Sequence, residues 1–463
     1  MMYDDLKSKI ESTFNFRLNR NQWRDLKRLL YEIYRRDQKE PRTVIDSLKN
    51  KTSVKKAGGR NKFFAIKKEL IGYRYPLTSQ KIAIDTKDVF LAELKEPFPD
   101  NYSPTTPFVP EKIFIEKEAR GSYLEGRFRF TFPDIEFEEL ILSGEYIKKH
   151  KFSPHQLKRP LVFIVKERWD FIKPCPCTSH CLSCRYWILN LGFGCPFDCS
   201  YCFLQQYANF PGIVLPANLD DFFTQFDGFY KKLKNPIRIG TGEFCDSLAL
   251  DDITGYSRQL AEYFRDKNLF FELKTKSDNI ANLLKITGAA NIVIAFSLNP
   301  QTLIDSEEQA SSSLSQRLAA AKQLQEKGYS LAFHFDPIIY YEGWENDYKK
   351  VVDRLYGHVR SPLRWISLGT LRSARELKNV VERRFPQSSI FYGELLLGKD
   401  RKLRYPKFLK TRMFKKMTGW IREYDSKTPL YLCMEDKDIW QDCGFTPDTS
   451  QKVERSLLLP GID

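Results

Sequence analysis

The pattern of apolar and polar residues divides the chain into a helical first part and a longer part in which strands and helices alternate. Between residues 5 and 37, apolar residues recur at helical spacing among basic ones, which predicts two amphipathic helices. The apolar positions are Leu6, Ile10, Phe14, Trp23, Leu26, Leu30, Ile33 and Tyr34. The stretch 48–62 that follows is polar, basic and contains glycines, so we expect a loop or linker there.

From about residue 160 onward, short apolar runs alternate with amphipathic stretches. The runs predict buried parallel strands, and they are residues 237–244, 269–276, 291–299, 329–339 and 365–370. The stretches between them predict helices near 251–266, 278–287, 311–327, 345–357 and 373–384, with Gly328 just after the third. Repeated strand–helix units imply a parallel α/β barrel or doubly wound sheet, with active-site residues at the carboxyl ends of the strands.

The charge and the hydropathy narrow the class of partner and the compartment. Lys and Arg exceed Asp and Glu by 74 to 59, a formal charge of +15, which favours a polyanion such as nucleic acid or an anionic membrane surface. No apolar run approaches the roughly 18 residues of a membrane span, and the first residues lack the apolar core of a secretory signal. We therefore expect a cytoplasmic protein without a membrane partner.

Seven of the ten cysteines lie between residues 175 and 202, and in a reducing compartment such crowding indicates metal ligation before disulfides. Cys195, Cys199 and Cys202 have C-x3-C-x2-C spacing. Three thiolates in one loop can bind three irons of a [4Fe–4S] cluster and leave the fourth iron open. Zinc is the alternative, but a structural zinc site needs four protein ligands.

The triplet, with the aromatic Tyr201 just before its last cysteine, closely resembles the motif of the radical S-adenosylmethionine (SAM) superfamily. In that superfamily the open iron binds SAM, and an electron from the cluster releases a 5′-deoxyadenosyl radical that abstracts hydrogen from the substrate. The resemblance implies a [4Fe–4S] cluster and SAM as cofactors, and an electron donor such as flavodoxin or ferredoxin. It also implies a fold of the α/β class, a partial parallel (β/α)6-type radical SAM barrel with a helical and mixed N-terminal extension.

Five segments narrow the resemblance to the spore photoproduct lyase family, in which they occur in the same order. They are residues 107–119, the cluster loop, and residues 244–254, 296–299 and 336–348. That family reverses a methylene-bridged thymine dimer that ultraviolet light makes in spore DNA, so the resemblance implies a DNA repair lyase. We expect a basic helical extension at 1–100, a radical SAM domain at 101–435 with its barrel at about 185–400, and a C-terminal tail at 436–463.

The resemblance also assigns roles to single residues. Cys245 follows Cys202 by 43 positions, where the family has its hydrogen-donating cysteine, and Tyr201 is the second catalytic candidate. The family usually has tyrosines on both sides of its last cluster cysteine. Here Phe203 takes the second place, so a hydrogen relay through two tyrosines is incomplete.

Four residues are candidates for SAM binding. The resemblance suggests Ser247, Lys276 and Ser297 at successive strand ends, where hydroxyls and an ammonium can bind the ribose and the methionine carboxylate. Glu243, in the sequence Gly-Thr-Gly-Glu, resembles the Gly-Gly-Glu element that accepts from the SAM amine.

The four remaining cysteines of the crowded segment, Cys175, Cys177, Cys181 and Cys184, have C-x-C-x3-C-x2-C spacing. This spacing suggests a second metal site with zinc or an auxiliary Fe–S cluster, since four thiolates satisfy either. The alternative is that these cysteines pack as small apolar side chains.

Basic and aromatic residues are interleaved at 398–416, a composition suited to phosphate contacts and stacking on DNA. Two further possibilities stay open: a radical SAM enzyme of this fold that acts on another nucleic acid or a modified nucleotide, and a non-catalytic Fe–S protein that binds nucleic acid. On the strand near residue 334, His334 and Asp336 are either substrate contacts or a mutually satisfied polar pair.

Overall fold

The computed structural model describes residues 5–59, 61–99, 103–150, 152, 159–168, 171–178, 180–207 and 210–459. The chain forms two compact units. Unit 1 comprises residues 1–97, 339–342 and 372–409, and unit 2 comprises 98–338, 343–371 and 410–463.

Unit 1 is mainly helical. Its helices are Leu6–Phe14, Arg20–Asp37, Pro41–Leu48, Thr52–Lys56, Asn61–Arg74, Pro76–Lys81 and Arg375–Arg384. Its strands form an antiparallel sheet in the order Arg372–Ala374, Lys402–Arg404, Leu396–Leu397. The first two helices confirm the two amphipathic helices predicted before residue 38, because their buried positions Leu6, Ile10, Leu26 and Ile33 belong to one apolar core.

The prediction of a loop over 48–62 is wrong at its centre. Thr52–Lys56 is a short helix, and Asn61 begins the next helix. Val54 is the reason, since this single apolar side chain among polar neighbours is 1% exposed and packs into the core of unit 1.

A buried ion cluster joins three helices of unit 1. Glu32 accepts hydrogen bonds from Arg28 (2.6 Å), Arg74 (2.5 Å) and Lys378 (2.5 Å). Burial alone would raise the pKa of Glu32, but the three cations hold it well below its usual range. Because Lys378 lies 346 positions after Glu32, this cluster ties the segment 372–409 to the N-terminal helices.

Unit 2 contains an eight-stranded barrel sheet whose strands follow one another in chain order. They are β1 Ile172–Pro174, β2 Trp187–Leu189, β3 Arg238–Thr241, β4 Phe270–Thr275, β5 Ile292–Ser297, β6 Ser330–Ile338, β7 Trp365–Thr370 and β8 Leu430–Leu432. β2 to β8 are parallel, and β1 pairs with β2 in antiparallel fashion. The five predicted strands correspond to β3–β7, so the predicted parallel α/β fold is confirmed.

Helices connect the strands of the barrel, as predicted. They include Asp251–Thr254, Tyr256–Phe264, Ala281–Leu284, Leu314–Glu326 and Trp344–His358. The predicted helix 251–266 is divided at Gly255, which has a φ of 62°. Gly328 (φ 91°) follows the helix Leu314–Glu326, where a left-handed residue ends many helices.

A second, four-stranded sheet in unit 2 was not predicted. It is parallel, in the order Phe137–Leu140, Lys112–Glu116, Leu161–Val165, Ile213–Pro216. The other helices of unit 2 are Tyr123–Thr131, Ser143–Lys149, Leu204–Tyr207, Leu219–Tyr230, Gln301–Glu307, Lys437–Asp442 and Ser450–Leu458, and Lys407–Tyr424 begins in unit 1. In the part of the chain that the structure describes, no helix has the length and apolar character needed to cross a membrane.

Candidate active site

The cysteine triplet lies in a tight loop whose shape depends on a glycine. Gly194, directly before Cys195, has a φ of 92°, a conformation that side-chain-bearing residues rarely adopt. A Cβ at this position would lie 2.5 Å from the carbonyl oxygen of Gly212. Further along, Cys202 donates its backbone N–H to the carbonyl of Cys199 (3.1 Å), so the second and third cysteines share one turn.

The donor set of this loop fits a cubane cluster. Within the described ranges, no three Cys, His, Asp or Glu side chains converge closely enough to hold a single metal ion. A [4Fe–4S] cluster does not need such convergence, because each thiolate binds a different iron. Burial raises the pKa of the Cys195 and Cys199 thiols well above its usual range, and bound iron is the positive charge that stabilises buried thiolates.

A buried carboxylate holds the cluster loop from behind. Cys199 pairs with Glu308 in a short antiparallel ladder, and Tyr201 donates its O–H to the Glu308 carboxylate. Glu308 also accepts from Asn299 (2.7 Å) and Arg317 (2.5 Å). Burial opposes its ionisation, but Arg317, Lys276 and the hydrogen bonds from Tyr201 and Asn299 together outweigh burial, and the pKa of Glu308 is lowered to about 2. The Tyr201 ring is thus fixed by an ion pair that the sequence analysis did not identify.

Cys245 lies in the loop after β3 and shares a small cavity with the cluster loop. The carbonyl of the adjacent Phe244 accepts a hydrogen bond from the N–H of Gly194 (2.9 Å). Cys245, Gly194 and Pro196 line the cavity together. Burial raises the pKa of the Cys245 thiol to about 12, and the carboxylate of Asp246 adds to this effect. The side chain therefore keeps its S–H bond at neutral pH, and only that form can donate a hydrogen atom.

Asp246 connects the ends of β3 and β4. Its carboxylate accepts from the Thr275 hydroxyl (2.7 Å) and from the backbone N–H of Lys276 (2.7 Å). The hydroxyl of Ser247 lies 2.6 Å from that of Thr241, and the Ser247 N–H binds the carbonyl at position 274 (3.0 Å). The predicted Ser247 and Lys276 are thus brought together at the carboxyl ends of neighbouring strands.

Lys276 and Ser297 lie beside the same buried ion pair. Burial alone would lower the pKa of Lys276, but Glu308 and Cys199 raise it. At the end of β5, the carbonyl of Ser297 accepts a hydrogen bond from Arg317 (2.9 Å). The structure therefore places an ammonium and a hydroxyl-bearing residue close to the cluster loop.

Glu243 faces β1. Its carboxylate forms an ion pair with Lys173 (3.3 Å), and the Lys173 ammonium lies 4.2 Å from the ring centre of Phe244. Its assignment to the SAM amine stays a prediction.

A group of buried polar side chains joins β4, β6 and β7 inside the barrel. Of this group, the sequence analysis named only His334. His334 Nε2 lies 2.7 Å from the carboxylate of Glu272, which also accepts from Trp365 Nε1 (3.2 Å). His334 is therefore satisfied by Glu272. Arg238 stacks on Trp365, 4.0 Å from its centroid, and its Nε and Nη1 have no hydrogen-bond partner among the described residues. In the sequence, this buried group is indicated by a charged residue within each of two apolar strands, Arg238 in β3 and Glu272 in β4.

The second cysteine group lies between β1 and β2. The sulfur atoms of Cys175 and Cys177 are 3.7 Å apart, and Cys181 donates its backbone N–H to the carbonyl of Thr178 (3.0 Å). The backbone N–H of Leu182 binds the carbonyl at position 435 (3.0 Å). This bond links the cysteine loop to the segment after β8, at the other edge of the barrel sheet.

A protein-family model and the curated relatives of this chain carry the same description. Residues 151–419 match the family model described as spore photoproduct lyase. The spore photoproduct lyase of Clostridium acetobutylicum is 25% identical over 288 residues, which are 60% of this chain and 83% of the relative. That of Bacillus subtilis is 25% identical over 302 residues, 62% of this chain and 86% of the relative.

Solved structures show the same fold. A spore photoproduct lyase complexed with dinucleoside spore photoproduct has a TM-score of 0.61 at 22% identity, covering 71% of this chain and all of the other (100%). A mutant spore photoproduct lyase with bound AdoMet and dinucleoside spore photoproduct has a TM-score of 0.61 at 22% identity and covers 74% of this chain. Since the family model matches more than half of its residues, this chain belongs to the spore photoproduct lyase family.

Proposed function

We propose that this chain is a radical SAM lyase that repairs spore photoproduct in DNA. Cys195, Cys199 and Cys202 hold the [4Fe–4S] cluster. With SAM bound, the cluster would supply the one-electron reduction of SAM, and through it the abstraction of a hydrogen atom from the lesion. The family match and the curated relatives of the same name support this proposal.

The observation that carries the proposal is the position of Cys245. Cys245 lines a cavity together with Gly194 and Pro196 of the cluster loop, and its thiol keeps its proton at neutral pH because burial raises its pKa to about 12. After the lesion has fragmented, Cys245 donates a hydrogen atom to the remaining thymine carbon radical. The S–H bond breaks, a C–H bond forms, and the sulfur is left as a thiyl radical.

We assign Tyr201 to the return of a hydrogen atom to that sulfur: its O–H bond breaks, the S–H bond forms again, and the tyrosyl radical takes a hydrogen atom back from 5′-deoxyadenosine. Phe203 has no O–H, and its ring is 41% exposed. Tyr201 is buried and its O–H is directed at Glu308. A tyrosine relay in this chain therefore depends on Tyr201 alone and must break its bond to Glu308.

For SAM, we assign Lys276 to the methionine carboxylate and the hydroxyls of Ser247 and Ser297 to the ribose. Glu243 is assigned to the SAM amine, which requires it to leave Lys173. The reductant is a low-potential carrier such as flavodoxin or ferredoxin. The compartment is the cytoplasm, where thiols stay reduced.

The test is anaerobic reconstitution with iron and sulfide, reduction with dithionite, and chromatography for 5′-deoxyadenosine and restored thymine. We expect both products when DNA carrying spore photoproduct is present. The Cys245→Ala variant should still form 5′-deoxyadenosine while restored thymine falls at least tenfold. A reduced, cluster-containing protein that forms no 5′-deoxyadenosine would contradict the proposal.

We also propose a second metal site at Cys175, Cys177, Cys181 and Cys184. The 3.7 Å between the first two sulfurs matches two thiolates on one tetrahedral metal, for which about 2.3 Å per bond gives roughly 3.8 Å. Metal binding must draw Cys181 and Cys184 in toward this pair, since no three such side chains of the described residues converge on one point. Two buried cations support it: Lys274, near Cys175 and Cys184, and Arg238, near Cys184. A metal bound by four thiolates would add negative charge beside these cations, which already face Glu272.

This second site is tested in a triple variant that lacks the cluster cysteines, C195A/C199A/C202A. After anaerobic reconstitution, zinc, iron and sulfide are measured per chain, and iron or zinc identifies the centre. We expect the triple variant to keep metal and to lose it when Cys175→Ser and Cys177→Ser are added. A triple variant that binds neither metal would refute the site.

A further inference from the structure

The net positive charge of the chain comes from one of its two units. Unit 1 contains 33 Lys and Arg against 18 Asp and Glu, whereas unit 2 contains 41 of each. The whole formal charge of +15 therefore belongs to unit 1. A charge imbalance of this size on a small unit creates a strong positive potential, which attracts polyanions.

The N-terminal part of this unit lies outside the family match. The matched residues are 151–419, while residues 1–97 provide six of the seven helices that lie wholly within the described residues of unit 1. These helices therefore lie in a part of the chain that the family model does not cover.

Two adjacent helices, Thr52–Lys56 and Asn61–Arg74, present a basic surface. We define it by Lys55, Lys56 and Lys68, all exposed, together with Phe64, whose side chain is 64% exposed. Phe64 and Lys68 are four residues apart on one helix, so they share a face. None of the three lysines has an ion-pair partner among the residues that the structure describes.

Other lysines in or next to these two helices do have hydrogen-bond or ion-pair partners. Lys67 pairs with Asp25 (2.8 Å) and Lys51 with Glu69 (3.9 Å), while Lys62 donates to the carbonyl of Val54 (2.8 Å). Lys67 is thus held against the helix Arg20–Asp37, whereas Lys51 and Lys62 tie the two helices of the surface to each other. The three lysines of the basic surface are therefore available to bind an external anion.

We propose that this basic surface of unit 1 binds the phosphate backbone of duplex DNA independently of the lesion. Lysines without an acidic partner are free to displace counterions from phosphates, and this displacement supplies most of the affinity of non-specific DNA binding. The exposed Phe64 ring adds an apolar contact to a sugar or base. The choice of duplex DNA as the polyanion rests on the proposed function, since a lesion lyase must stay on the polymer that carries its substrate.

The experiment uses the full-length, reconstituted protein and undamaged duplex DNA. Binding of K55E/K56E/K68E is measured by fluorescence anisotropy over a series of salt concentrations. We expect roughly tenfold weaker binding or more, and a slope of log affinity against log salt that is smaller by about 3, because each phosphate contact contributes about 0.9.

The matched control is K231E/K232E/K234E, which removes the same amount of charge at exposed positions of the neutral unit 2. It should keep both the affinity and the salt slope. Equal weakening by the two triple variants would overturn the proposal, because net charge alone would then explain binding. Tighter binding of single-stranded RNA than of duplex DNA would also overturn it.

A second readout separates this proposal from the proposed function. K55E/K56E/K68E should form 5′-deoxyadenosine and repair the isolated dinucleoside lesion at the unaltered rate, because neither substrate has a duplex backbone. Repair of the lesion within a duplex should show a higher KM. An unaltered duplex KM would refute the role of the basic surface, whereas loss of dinucleoside repair by the unaltered protein would refute only the proposed function.

Discussion

At the scale of single residues, the chemistry of the site depends on side chains whose burial sets their protonation. Cys245 is the clearest case, because burial and the nearby carboxylate of Asp246 raise its thiol pKa to about 12. An exposed cysteine ionises near pH 8.5 and would largely lose its hydrogen in mildly alkaline solution. The loop after β3 thus preserves the S–H bond that the proposed hydrogen donation by Cys245 requires.

This pKa predicts slow alkylation of Cys245. Only the thiolate reacts with iodoacetamide, so the rate for Cys245 in the cluster-loaded protein should keep rising from pH 7 to pH 10. The cysteine in the denatured chain should instead reach a plateau near pH 9. Mass spectrometry of the peptide that contains Cys245 gives both rates. A plateau near pH 9 in the folded protein would show that its thiol is not shielded.

The cluster cysteines, Cys245 and the SAM candidates were predicted from the resemblance of their segments to the family, and their roles stay predictions. The residues that hold the cluster loop in place could not be predicted from the sequence. Glu308 and Arg317 act on the cluster loop from more than one hundred positions away, since the Tyr201–Glu308 separation is 107 residues. Nothing local in the sequence distinguishes such a carboxylate from one on the surface.

At the scale of elements, the barrel strands and helices follow from local pattern, because each apolar run is buried on both faces. Strands β4 to β7 were predicted to within two residues at either end. The four-stranded sheet that includes Lys112–Glu116 was missed, since its strands are only four or five residues long. Their partners are distant in sequence, and short apolar runs of this kind predict strands poorly.

The ion cluster around Glu32, which joins three helices of unit 1, predicts how substitutions there change the free energy of unfolding. In Glu32→Gln, three buried cations lose their shared anion, so unfolding should become easier by roughly 3 kcal/mol or more. In Lys378→Met, Glu32 keeps Arg28 and Arg74, so the loss should be clearly smaller. Urea unfolding followed by circular dichroism compares the two variants. Equal losses would mean that the three cations do not depend on one carboxylate.

At the scale of the whole molecule, unit 1 is assembled from three separate stretches of chain, and this has a consequence for truncation. Removing residues 1–97 takes away Glu32 and Arg74, and with them the partners of Lys378 and of the carbonyl groups at 391 and 393. It also removes Leu26, Ile33 and Ile45 from an apolar core in which they are fully buried. The segment 372–409 would then carry exposed apolar and ionic groups with nothing to cover them.

We therefore expect a chain that begins at residue 98 to be poorly soluble or to lose the fold of residues 372–409, even though the family match starts only at residue 151. Limited proteolysis should cleave the truncated chain rapidly between 372 and 409 while the full-length protein resists. K55E/K56E/K68E, which alters only exposed lysines, should resist like the full-length protein and serves as the control. A truncated chain as resistant as the full-length protein would mean that this segment folds without the N-terminal helices, because its own strands and the helix Arg375–Arg384 would then suffice.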